Sequence, residues 1–110
     1  MSGFVLTNKA LNDLKEIGHY TERMWGKEQR NNYLSILDRC FQDLASAPLK
    51  GQDCNAVRSG YRKHPTGKHL VFYRMLTQDQ IEIVRILHAR MDVERHFDER
   101  CAETPDQSLG

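Results

Sequence analysis

At 110 residues the chain has the length of one domain. By size scaling it buries about 65% of the surface its unfolded form exposes, so neither disulfides nor a structural metal are needed for folding. With 39% hydrophobic and 28% charged residues and a formal net charge of +1, the composition is that of a soluble globular protein.

No run approaches the ~18 apolar residues that a membrane helix needs. The opening residues have neither the basic region nor the long apolar stretch of a signal peptide. Cys40, Cys54 and Cys101 are odd in number and form no Cys-x-x-Cys pair. They are expected to be free thiols in a reducing cytoplasm, with Cys40 in the core.

In chain order, Phe4 to Leu6 reads as a short strand, and Thr7 offers a helix N-cap oxygen. Leu11, Leu14, Ile17, Thr21 and Met24 then recur at helical spacing, with Trp25 alongside. Lys9, Asp13, Lys15, Glu16 and Glu22 are assigned to the outer face, and Gly26 suits a left-handed C-cap. A second helix follows on the stripe Tyr33, Leu37, Cys40, Phe41 and Leu44, widened by Leu34 and Ile36, and Pro48 stops it. The connection is so short that the helices are expected to pack as an antiparallel hairpin.

Residues 49–56 read as a loop, 57–64 as a strand, and Pro65-Thr66-Gly67 as a turn. Residues 70–76 form the next strand, 77–80 a hairpin loop, and 81–88 a final strand. The last strand is apolar on both faces, as a central strand would be. The expected class is α+β: an N-terminal strand, an antiparallel two-helix hairpin, then a three-stranded antiparallel meander packed on the helices, with a short C-terminal arm. Residues 1–97 are read as the single domain and 98–110 as a polar, flexible tail.

The sequence holds no Gly-rich phosphate loop, no HExxH and no GxSxG. His64, His69, His88 and His96 are spread so that none lies two to four residues from another, so neither a metal site nor a cofactor is expected. Residues 54–78 carry Arg58, Arg62, Lys63, Lys68 and Arg74 and no acid, whereas acids outnumber arginines from residue 79 onward. Such a basic stretch attracts a polyanion or an acidic protein partner, or is only a solvated face.

The set with chemical potential is Arg62, His69, Arg74, Arg85, His88 and Arg90. Strand alternation places His69, Val71, Tyr73 and Met75 on one face and Leu70, Phe72 and Arg74 on the other. In the last strand it opposes Ile81, Ile83, Arg85 and Leu87 to Glu82, Val84, Ile86 and His88. One face meets the helices, and the other is expected to be open. Arginines on an open face grip phosphate or carboxylate in a bidentate fork. Metal-free RNA cleavage would need such arginines and a general base near neutral pKa, for which His88 is the natural choice. The structural alternative pairs Arg85 with Glu82 or Asp92 and leaves His88 to cap a strand end. Trp25, at the tip of the helix hairpin, is either packed under the sheet edge or a contact residue. Phe97 would anchor an arm over residues 91–97.

Several motifs together resemble one family. They are Leu6-Thr7-x-x-Ala10-x-x-Asp13-Leu14, Trp25-Gly26, Gly60-Tyr61-Arg62-Lys63, the run from Gly67 to Arg74, and the run from Ile83 to Asp92. The most specific part is Leu87-His88-x-Arg90-Met91-Asp92. Over residues 3–97 the chain resembles the ParE toxins of the RelE/ParE superfamily. The resemblance implies the toxin of a type II toxin–antitoxin pair, held silent by a ParD-like antitoxin with a ribbon-helix-helix DNA-binding domain. It also implies that the chain stabilises the cleaved-DNA complex of DNA gyrase, meeting DNA only through gyrase or the antitoxin. On that reading Arg62, His69, Arg74, Arg85, His88, Arg90, Met91, Asp92, Arg95 and Phe97 form the target- or antitoxin-binding surface.

The related RelE-type toxins, ribosome-dependent mRNA endonucleases, are the alternative. Against their pattern, Arg62 keeps a lysine's charge and Arg90 matches an arginine. His69 replaces an arginine, and Arg95 or His96 stands where a tyrosine is needed. In another nuclease branch a His-Tyr pair ends the last strand, where this chain has Leu87-His88. Losing transition-state groups costs orders of magnitude in rate, so a non-catalytic toxin is expected.

Overall fold

The computed structural model describes residues 3–54 and 58–88. The element order is β1 (Gly3–Leu6), α1 (Asn8–Trp25), α2 (Lys27–Ser46), a 3-10 turn (Pro48–Lys50), β2 (Gln52–Asp53), β3 (Tyr61–Thr66), β4 (His69–Thr77) and β5 (Gln80–His88). One five-stranded sheet runs β1-β5-β4-β3-β2. The expected helix hairpin and antiparallel meander are both present. In addition β1 lies parallel to β5, with Phe4 opposite Ile81 and Leu6 opposite Ile83.

Thr7 caps α1 as the sequence implies, its hydroxyl accepting from the Ala10 N–H at 3.0 Å. The same hydroxyl donates to the Val84 carbonyl at 2.9 Å, and the Thr7 N–H to Ile83 O at 3.0 Å. The helix start is thereby tied to the central strand. Gly26 alone separates the helices and has φ +95°, a conformation that favours glycine. An Arg30–Glu22 ion pair at 2.6 Å braces the hairpin.

The buried face of α1 departs from the expected stripe. It consists of Ala10, Asp13, Ile17, Gly18 and Thr21, while Leu11 (47% exposed) and Met24 (53%) face outward. Asp13, expected outside, is buried because it meets a strand arginine. In α2 Leu37, Cys40, Phe41 and Leu44 are buried as expected and Ala45 is buried with them, but Ile36 is exposed. With Val71, Tyr73, Ile81, Ile83 and Ile86 these form the main core, edged by Phe4, Leu6, Leu14, Tyr33 and Leu34.

Strict alternation fails in β5. Phe72 pairs with Arg85, but the next residue, Tyr73, pairs with Ile83, so Val84 is an extra residue. A bulge of this kind shifts the facing of everything after it. Ile83 and Ile86 therefore share the helix-side core, and Leu87 turns to the reverse face. That face, expected to be open, carries a smaller buried cluster of Cys54, Phe72 and Leu87, flanked by Tyr61 and Leu70.

The expected loop 49–56 contains the 3-10 turn and β2. Tyr73, fully buried in the core, organises it: its hydroxyl donates to Pro48 O at 2.7 Å and accepts from the Gly51 N–H at 2.8 Å. A Cβ at Gly51 would collide with the Tyr73 ring, so glycine is required there. β3 continues through Pro65 and Thr66 rather than turning at them. Because β2 pairs only with Arg62 and Lys63, Pro65 lies where β3 is an edge strand, the place where a missing N–H is tolerated. The turn falls instead at Gly67, φ +57°.

Candidate functional site

The arginines of the strands do not converge. Arg62, opposite Tyr73, donates from Nη1 to the Gly51 carbonyl at 2.7 Å. Arg74, opposite Tyr61 and Glu82, donates from Nε to the Glu82 carboxylate at 2.7 Å and is largely exposed. Arg85 (8% exposed) crosses to α1 and donates from Nε and Nη2 to the two Asp13 oxygens, at 2.8 and 3.0 Å. Asp13 also accepts the Ile86 backbone N–H at 3.0 Å. A carboxylate accepting from three donors and a guanidinium held bidentately form a strong charge-assisted pair. Arg85 is therefore a structural cation whose partner is Asp13, while Glu82 pairs with Arg74. Arg90, Met91, Asp92, Arg95 and Phe97 lie outside the described residues, as do the rest of the expected arm and the 98–110 tail.

What the fold does bring together is Tyr33, His69 and His88. Antiparallel pairing sets His69, at the start of β4, directly opposite His88, at the end of β5. Their ring centroids are 5.2 Å apart at an interplanar angle of 73°. Tyr33 reaches across from α2, its hydroxyl 2.6 Å from His69 Nδ1, and it also accepts the Lys68 N–H at 3.0 Å. Burial, and then the charge on His88, pull His69 down to about 4 against a weaker opposing pull from Asp13, so its ring is neutral at physiological pH. Burial likewise raises Tyr33, opposed by the Lys68 N–H.

These three residues line a groove of about 830 Å³ between the helix hairpin and the end of the sheet. Ile17, Tyr20, Thr21 and Trp25 form its helical wall, Gly67 and Lys68 its hairpin rim, and Ile86 and His88 its strand floor. Trp25 is 64% exposed and Tyr20 53%. Trp25 therefore does not pack under the sheet edge; it lines the groove. Apolar walls, large aromatics and a rim of both charges suit the anchoring side chains of a protein partner.

A family model described as "ParE toxin of type II toxin-antitoxin system, parDE" matches residues 4–93. The chain belongs to the ParE toxin family. Toxin ParE1 of Mycobacterium tuberculosis is 39% identical over 96 residues, covering 87% of this chain and 98% of that toxin. Toxin ParE1 of Caulobacter vibrioides is 36% identical over 97 residues, covering 88% and 99%. A solved structure entitled "Chromosomal ParDE TA system from P. aeruginosa" superposes with a TM-score of 0.70 at 20% identity, covering 82% of this chain and 98% of that one. That likeness concerns the fold. The strand, helix-hairpin and sheet order described above is this ParE fold.

Within the ParE fold, residue-type reasoning misses Asp13 and Tyr33. Asp13 is part of the motif Leu6-Thr7-x-x-Ala10-x-x-Asp13, and its placement one helical turn after the buried Ala10 is the signal that it faces inward. No local signal marks Tyr33, because its partner is 36 residues away.

Proposed function

We propose that this chain is the toxin half of a cytoplasmic toxin–antitoxin pair, neutralised by a ParD-like antitoxin, and that it blocks DNA replication by poisoning DNA gyrase. It acts by contact rather than by chemistry of its own. The observation that carries the mechanism is the dispersal of Arg62, Arg74 and Arg85 to separate partners. A phosphate-cleaving site needs preorganised cations around one scissile group, and these side chains point at three different acceptors. The exposed groove from Trp25 to His88 offers the contact surface. Family membership supplies the toxin class.

No helix among the described residues is long and apolar enough to cross a membrane. An antitoxin segment seated in the groove would place apolar side chains against Ile17, Tyr20 and Trp25 and polar groups against Lys68 and the histidines. Purified chain, gyrase and supercoiled plasmid provide the test. Accumulation of linear, gyrase-linked DNA that disappears when the antitoxin is added is the expected result. Codon-specific cuts in cellular mRNA, with supercoiling unaffected, would instead establish the nuclease reading and overturn this one.

A further inference from the structure

The His69–His88 pair has a geometry that sequence spacing hides. The residues are 19 apart in the chain, yet the β4–β5 register makes them direct cross-strand neighbours. Direct neighbours in an antiparallel pair hold their Cβ atoms about 4.5–5.5 Å apart, close enough for two side chains to share a ligand. Two imidazoles on one tetrahedral zinc, with each nitrogen about 2.0–2.1 Å from the metal, put their ring centroids roughly 5 Å apart. The observed separation is 5.2 Å.

The surroundings are those of a supported ligand. Tyr33 fixes His69 through Nδ1 at 2.6 Å, leaving Nε2 as the nitrogen for coordination. A metal-bound histidine characteristically holds its other nitrogen on an oxygen partner, which sets the tautomer and orients the ring. Tyr33 can serve that role because its own proton has a second acceptor, the Thr66 carbonyl at 3.4 Å, when the Nδ1–H donates to it. The site opens on the groove, whose lining also includes Glu16.

We infer that His69 and His88 form a two-imidazole binding site for a borderline divalent transition-metal ion, with Tyr33 as the positioning residue. Imidazole nitrogen selects zinc, nickel and copper over magnesium and calcium, which want oxygen. Protein ligands complete only half of a tetrahedral set, so the remaining positions belong to water or to a carboxylate entering the groove. The ion would clamp the first residue of β4 to the last residue of β5 at the groove mouth.

The test uses the untagged full chain and Zn²⁺ alone as the probe, with Mg²⁺ as control. Nitrogen-15 imidazole signals are followed by NMR during titration, and thermal unfolding is followed in parallel. The expected result is that the His69 and His88 signals move together and saturate at one ion per chain, while His19 and His64 stay in place. Tm should rise with Zn²⁺ and not with Mg²⁺, by mass action on the folded state. Tyr33→Phe should weaken binding about 10–100-fold, the cost typical of losing a ligand's supporting partner. His69→Gln and His88→Gln should each weaken it further. The inference is overturned if the two imidazoles do not respond while zinc binds elsewhere. It is equally overturned if folded His69→Gln and His88→Gln bind zinc as tightly as the parent chain. The NMR arm needs no variant, so a poorly folding substitution leaves the test intact.

Discussion

Replacing Asp13 with alanine leaves Arg85 charged, 8% exposed and without its bidentate partner, and it strips the Ile86 N–H of its acceptor. Removing one member of a buried pair costs about 3–5 kcal/mol. The orphaned backbone donor adds about 1–3 kcal/mol where water cannot reach it. Against a total stability of about 5–15 kcal/mol, Asp13→Ala should leave the chain close to unfolding at 37 °C. The double variant Asp13→Leu/Arg85→Met removes both charges and keeps apolar volume. It should recover most of the loss, because exchanging a whole buried pair for hydrophobic residues is often neutral or stabilising. Its residual cost is the unpaired Ile86 N–H. Urea unfolding followed by circular dichroism gives the free energies of the parent, of Asp13→Ala, of the single variants Asp13→Leu and Arg85→Met, and of the double variant. The expected coupling is on the order of several kcal/mol. If Asp13→Ala costs less than about 1 kcal/mol, or if the single losses simply add in the double variant, Asp13 and Arg85 do not act as one buried unit.

Tyr73→Phe should lower stability by about 1–3 kcal/mol, measured by the same unfolding curves, because Gly51 N–H and Pro48 C=O lose their shared partner. Arg74→Ala should change stability by less than about 1 kcal/mol, since its pair with Glu82 is exposed. Trp25→Ala should leave unfolding within about 0.5 kcal/mol of the parent yet weaken binding to the antitoxin or to gyrase by about 2 kcal/mol or more, as calorimetry would read it. Deleting residues 92–110 should abolish growth arrest while the circular dichroism spectrum and cooperative unfolding persist. A folded truncation that still arrests growth would remove the arm from the mechanism.

Much of the architecture was legible in the chain itself. The 3.6-residue stripe of α2, the Thr7 cap, the lone Gly26 between helices and the β-rich runs after residue 60 are local signals. Backbone sterics, capping and periodicity act over a few residues, so they can be read without the fold. The family motifs carried the toxin class for the same reason, since they are strings of neighbours.

Tertiary structure decided which side chains meet. Polarity alone sends Asp13 to solvent; only the approach of β5 to α1 makes it the partner of Arg85. Period-two alternation groups Arg85 with Ile83 and Leu87, and one extra residue at Val84 separates Ile83 from the other two. The two-residue β2 is visible only once Tyr73 is in the core to hold the turn that precedes it. His69 and His88 look scattered because their proximity is set by strand register rather than by spacing. The sequence by itself determined the elements, their order and the family, because short-range stereochemistry and hydrophobic period write those locally. The buried Asp13–Arg85 pair, the Tyr33–His69–His88 cluster and the groove they line were decided by packing, because each depends on residues that chain neighbours do not constrain.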